Sequence, residues 1–323
     1  MKRRYWLAGA AGVTALILGG IFLWRGRKPT PISKEELAAR YAPPLSAPER
    51  GLRVYHLGHS LVGRDMPAML EQLAHAAGFA DHRYESQLGW GTSLKQHWEP
   101  DEEIFGFDRE NDHPRFRPAR EAVASGDYDA VILTEMVEIR DAIRYHDSAR
   151  YLARWAAAIG QGNPDTRTYL YETWHQLDDP EGWETRVQKD LARYWEGEIL
   201  RPAMAPEGIG TIWTIPGGQV LAAVIEAAEA GKIPGLTDRT DFFARNPEGE
   251  LDQIHINEIG SQVIALAHFS TLYHRSGEGL PYRLNRADGS PATPLPDAAS
   301  AEIQRLVWTV VSGYAATGIG TGT

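Results

Sequence analysis

One serine early in the chain and a carboxylate–imidazole pair late in it have the types and settings that acyl transfer needs. Ser60 lies in VYHLGHSLVGRDMP, from Val54 to Pro67, where an apolar stretch breaks at Gly58 and a small hydroxyl residue follows two positions later. Such a serine either caps the next helix or is held at the strand end to do chemistry. An alcohol is a poor nucleophile unless a base takes its proton. GELDQIHINEIG, from Gly249 to Gly260, offers one: Asp252 and His255 stand three apart, just before a long helical pattern. In a turn or a first helical position, that spacing lets the carboxylate reach the imidazole. The carboxylate then fixes the tautomer and steadies the imidazolium, leaving the other ring nitrogen for a serine proton. Taken alone, the pair also reads as a helix cap followed by a packed or solvent-facing ring. A metal-dependent phosphoesterase uses the same residues differently, since His56, His59, Asp252 and His255 are all metal-ligand types. Against it, His56 and His59 are three apart on or next to a strand, and odd spacing sends them towards opposite faces.

The elements around these residues alternate. RVYHLG reads as a short strand, and Met66 to Gly78 as an amphipathic helix closed by glycine. HRYESQLG is a second strand. Tyr128 to Glu135 is a continuous apolar run, as in a strand buried on both faces. Ser148 to Gly160 is a helix, Arg167 to Trp174 a strand, and Trp183 to Leu200 a helix. A further strand turns at Pro216-Gly217-Gly218 into a helix, and Asn257 to Arg275 forms the last long helix of the core. This order implies an α/β fold with a parallel sheet and helices on both faces. Ligands in such sheets bind at the carboxyl ends of the strands, where Ser60 falls. Trp90, Trp98 and Trp174 follow strands too, so each either lines the cleft as a sugar or acyl platform or packs in the core. The acidic stretch from Glu99 to Phe116 reads as a long loop able to wall that cleft.

LGHSL, then GWGTSL some thirty residues on, then DQIHINEIG near the end of the core together resemble the SGNH (GDSL-type) hydrolase superfamily, over roughly residues 52–275. The resemblance implies a flavodoxin-like three-layer α/β/α sandwich. It implies Ser60 as nucleophile, His255 as base and Asp252 as orienting carboxylate, without metal or cofactor. The backbone N–H groups of Ser60 and of a glycine in the second motif would hold the oxyanion. Gly89 and Gly91 are both available there, and GTSL favours Gly91, with Trp90 between them. Two departures mark a divergent member. His59 stands where the family has Asp; protonated, it would favour negative charge at the site. The family's Gly-x-Asn-Asp is absent, and VILTEMVEIRD puts Thr134 or Glu135 in its place. Thr134 could donate to the oxyanion, whereas an ionised Glu135 would repel it. Losing one such donor costs about 3–4 kcal/mol of transition-state stabilisation.

The flanks complete the expectation. MKRR precedes about twenty uncharged residues from Tyr5 to Trp24, with aromatics at both ends and RGRK after them. The segment reads as an uncleaved anchor, with a cleaved signal peptide as the rival. It places the domain outside the cytoplasm. The expected organisation is an anchor over residues 1–28, a proline-rich linker over 29–50, the hydrolase-like domain over 51–280 and an extension with one helix over 281–323. A net charge of −10 argues against a nucleic-acid partner, which needs a basic face. With no cysteine, thiolate nucleophiles and disulfides are excluded. The expected partner is a small-molecule or glycan ester, possessing for instance an O-acetyl group on a cell-envelope carbohydrate or lipid. The rival class is a non-catalytic, anchored module that keeps the fold and binds glycan.

Overall fold

The computed structural model describes residues 30–320. The segment Tyr5–Trp24, read as an anchor, lies outside the described residues; among those described, no helix is long and apolar enough to cross a membrane. Helix α1 (Lys34–Tyr41) opens the described chain, its Ser33 Oγ accepting the Glu36 N–H at 3.0 Å. Strand β1 (Arg53–His59), α2 (Asp65–Ala76) and β2 (Arg83–Gly89) follow. Three short helices, α3 (Leu94–Trp98), α4 (Phe107–Asn111) and α5 (Ala119–Ser125), lead to β3 (Ala130–Thr134). Next come α6 (Ile139–Tyr145), α7 (Ser148–Gly162), β4 (Arg167–Glu172) and α8 (Trp183–Asp190), which continues as a π-helical segment over Leu191–Leu200. Strand β5 (Ile212–Pro216), α9 (Gly217–Glu229), a hairpin of β6 (Phe243–Arg245) and β7 (Leu251–Ile256), α10 (Glu258–Tyr273) and α11 (Asp297–Gly313) complete it.

Five strands form one parallel sheet in the order β2-β1-β3-β4-β5. The order reverses at β1, and the crevice outside the strand ends at such a reversal is where doubly wound sheets bind ligands. Strands β3 and β5 are buried along their whole length, which is why AVILT and IWTIP are apolar runs rather than alternating patterns. Helices α2, α9, α10 and α11 pack together as one layer, and α3, α5, α7 and the π-helical segment as another. The arrangement fits a three-layer α/β/α sandwich.

Two expectations need correction. The proline-rich segment before β1 is docked rather than a free linker: Ile32, Leu37 and Tyr41 are buried, Tyr41 Oη donates to the Ile212 carbonyl at 2.9 Å, and the Leu45 N–H donates to Gly318 O at 2.8 Å. Proline sets backbone conformation there, but the apolar side chains decide the docking. The glycine-rich C-terminus is likewise packed through Ala316, Thr317 and Ile319. The stretch after β2 is not a structureless loop. The segment from Glu99 to Phe116 read as a loop carries α4, and the buried Asn111 side chain pairs with both backbone groups of Leu88, at 3.0 and 2.8 Å, closing the exposed edge of β2.

The interior holds an unusual set of imidazoles. His56, His59, His82, His97 and His268 are all buried. Burial holds His56 well below its ordinary value, pushes His59, His97 and His268 down to about 4, and His82 down to about 3. Unfolded, each would titrate near 6.5. Their contribution to stability is therefore complete above about pH 6.5 and is lost as the pH falls towards 4. The buried Glu135 and Glu172, pushed up by burial to about 7 and about 8, act in the opposite sense and offset part of the loss. His175 is buried too, and burial lowers its pKa likewise. With these six rings against two carboxyls, the melting temperature should be on the order of 10 °C lower at pH 5 than at pH 7.5. Calorimetry at the two pH values checks this, and an equal or higher value at pH 5 contradicts it.

Candidate active site

The sheet edge at β1 is built for close approach. A Cβ on Gly58 would come within 2.7 Å of Thr134 Cβ and 2.9 Å of Val62 Cγ2, so only glycine lets β1 pass its neighbours there. The chain then turns, with the Val62 and Gly63 N–H groups donating to His59 O at 2.9 and 3.3 Å, and Ser60 sits on that turn. Two neutral histidines clamp it. His59 Nε2 donates to the Glu135 carbonyl at 2.9 Å while its Nδ1 accepts the Leu61 N–H at 3.3 Å. His97 Nε2 donates to Gly58 O at 2.9 Å, and its Nδ1 accepts from Gln87 Nε2 at 3.0 Å. With both ring nitrogens matched and burial lowering its pKa to about 4, His59 carries no positive charge at neutral pH. The cationic role expected of it is withdrawn, although it does line the cavity.

Asp252 and His255 lie on β7, not at a helix start. Phe243 pairs with Ile256 and Arg245 with Leu251, so the residues between bulge out of the hairpin ladder. Within the bulge, Asp252 Oδ1 accepts the N–H groups of Ile254 and His255 at 2.8 and 2.9 Å. Its Oδ2 lies 2.9 Å from His255 Nδ1, and His255 Nε2 lies 2.9 Å from Ser60 Oγ. Partial burial raises the Asp252 pKa, but the hydrogen bonds from the His255 and Ile254 backbone and from the ring outweigh it, leaving a net lowering. The carboxylate is thus ionised and places the ring proton on Nδ1, so Nε2 faces the Ser60 hydroxyl as an acceptor. The helix-cap reading of Asp252 gives way to Asn257, whose Oδ1 accepts the Ile259 and Gly260 N–H groups at 2.9 and 3.0 Å. The hairpin is fixed to the loop after β4: Trp174 Nε1 donates to Ile254 O at 2.8 Å and Leu177 N to Gln253 O at 2.7 Å.

Ser60 and His255 open onto a cavity of about 490 Å³, with His59, Trp90, Gly91 and Gln176 also on its wall. Leu61, Val137 and Ile254 supply its apolar surface. Gly91 has a φ of 56° and open space beside its Cα, and neither its N–H nor that of Ser60 donates to a carbonyl among the described residues. Trp90 is 45% exposed, with Nε1 donating to Glu110 Oε1 at 2.8 Å and its ring against Gly106. Trp174 is instead buried, and Trp98 packs edge-on against Trp155, so neither is a cleft platform.

Thr134 and Glu135 do not line this cavity and are withdrawn as oxyanion groups. Thr134 is fully buried beneath Gly58, and its Oγ1 has no partner. Glu135 is fully buried, with Oε1 accepting the Met136 and Leu94 N–H groups at 2.9 and 3.2 Å. At the end of β3, Val137 faces the cavity instead. His56 is buried with its ring 6.0 Å from His268 and does not line the cavity that His59 and His255 share, so the four residues of the metal reading do not converge. Gln176 and His97 carry no motif in the sequence. Gln176 lies four residues beyond β4, and the strand-end rule that drew notice to Trp174 would have reached it.

No family model matches the chain, and no curated protein matches it. Among solved structures the chain is similar to a DUF4886 family protein from Bacteroides uniformis, with a TM-score of 0.52 and 16% identity, covering 81% of this chain and 95% of that one. At that identity the two share a fold. A GDSL-like lipase candidate from Parabacteroides merdae aligns at 12% identity over 72% of this chain and 99% of that one, with a TM-score of 0.43, too low to carry an argument.

Because the Thr134 hydroxyl is buried and unpaired, Thr134→Val should leave stability unchanged or raise it by about 1 kcal/mol. Thermal melts check this. A clear loss of stability would show that the hydroxyl has a partner in the folded chain.

Proposed function

We propose that the protein is a serine esterase that removes a short acyl group, such as acetyl, from a neutral carbohydrate ester. The observation that carries this reading is the continuous chain from Ser60 Oγ to His255 Nε2 and from His255 Nδ1 to Asp252 Oδ2, each link 2.9 Å, opening on a cavity. Ser60 Oγ attacks the ester carbonyl while its proton passes to Nε2. The carbonyl oxygen takes up negative charge, which the free N–H groups of Ser60 and Gly91 are available to hold. The C–O bond to the alcohol then breaks, and the proton on Nε2 goes to the departing oxygen. Water repeats the sequence on the acyl-enzyme and returns Ser60 to its starting state. Among the described residues no Lys or Arg lines the cavity, which suits an uncharged substrate. We further propose that residues 5–24 hold this domain at a membrane, on its extracytoplasmic side, where envelope carbohydrate is found.

A second reading, an anchored glycan-binding module without catalysis, draws on one observation: Trp90 exposes its ring on the cavity wall while the segment after β3 offers Val137 rather than a donor. Hydrolysis of 4-nitrophenyl acetate by the full-length chain separates the two. Ser60→Ala and His255→Ala should each lower kcat by about three orders of magnitude or more, and Asp252→Asn by a comparable amount. Turnover that survives Ser60→Ala would refute the esterase reading.

A further inference from the structure

The strand order sets the direction in which a substrate must lie. Along the carboxyl edge of the sheet the strands run β2, β1, β3, β4, so the cavity wall presents Gly91, Ser60, Val137 and Gln176 in that sequence. Neighbouring strands are about 4.8 Å apart, so this wall extends roughly 15 Å, with most of it on the β4 side of Ser60. The ester carbonyl oxygen belongs on the Gly91 side, where the free N–H groups are. The departing oxygen belongs beside His255 Nε2, which must hand it a proton. His255 is on β7, and β7 is bonded to the loop after β4 through Trp174 and Leu177. The alcohol portion of the ester therefore extends towards β4 and meets Gln176.

Gln176 is exposed, and its side-chain amide has no hydrogen-bond partner among the described residues. The loop that presents it is held firmly from below. Arg186 is 2% exposed and pairs with Asp179 at 2.5 Å and with Glu138 and Asp190 at 2.8 Å each. Glu138 adjoins Val137, so the same guanidinium secures both segments of this wall. An amide offers two donors and an acceptor, the complement of neighbouring hydroxyl groups. We infer that Gln176 binds hydroxyls on the departing alcohol and makes the site selective for esters of polyhydroxy alcohols, sugars among them. This rests on the esterase reading and adds to it the side of the ester that is recognised and the residue that recognises it.

Ethyl acetate and 2,3-dihydroxypropyl acetate share an acyl group and a reacting centre and differ in the hydroxyls of the alcohol. The wild-type chain should favour the dihydroxypropyl ester in kcat/KM by about fivefold, the worth of one net hydrogen bond. Gln176→Leu should bring that ratio to about one, and Gln176→Asn should restore part of it. A wild-type ratio near one overturns the assignment. So does a Gln176→Leu variant that slows both esters by the same factor, which would make the amide an oxyanion donor instead. Turnover of 4-nitrophenyl acetate that depends on Ser60, with neither alkyl ester cleaved, also overturns it while leaving the esterase reading standing. Absence of any Ser60-dependent turnover removes the esterase reading and this inference with it.

Discussion

The site depends on a carboxylate that is satisfied by its own strand. Asp252 accepts two N–H groups from the residues that follow it and still has Oδ2 free for the His255 ring. Those backbone donors keep it ionised, and an ionised carboxylate fixes the imidazole tautomer. Without the bulge in β7, an i, i+3 pair on a regular strand would point to opposite faces. The local irregularity is therefore what turns a common spacing into a continuous hydrogen-bond chain from Asp252 through His255 to Ser60.

The other half of the site is held by two buried, neutral imidazoles. His97 and His59 tie the end of β1 to its surroundings, each through one donated and one accepted hydrogen bond. Both work only as neutral rings, because each must accept at Nδ1. The burial that keeps them neutral is also what makes the fold sensitive to acid, so positioning of Ser60 and stability at low pH are coupled through the same residues. On the far side of the cavity, Arg186 gathers three carboxylates beneath the loops that carry Val137 and Gln176. A buried guanidinium with that many partners contributes little certain stability but fixes geometry, since removing it would leave three carboxylates without their shared cation.

Much of this was legible in the chain. Strand and helix alternation gave the parallel sheet, and Ser60 stood out as a polar residue breaking an apolar run at a strand end. Asp252 and His255 were legible as a pair, but not the bulge that joins them, because Asn257 caps α10 and frees Asp252 for the ring. Thr134 and Glu135 were misplaced because β3 is buried on both faces, and a continuous apolar run does not say where the strand leaves the core. The charge state of His59 depends on its burial by neighbouring segments of the fold, which spacing along the sequence does not reveal. Ile32, Leu37 and Tyr41 were hidden by the prolines around them, whose composition reads as a linker whether or not the segment is docked.

The most direct measurement of the central claim is the reaction of the full-length chain with a fluorophosphonate, followed by mass mapping of the modified peptide. If an alcohol is activated by the ring beside it, a single adduct forms on Ser60, and its rate of formation collapses in His255→Ala. An adduct on any other residue, no adduct on the folded chain, or labelling of Ser60 that is indifferent to His255 would contradict the account.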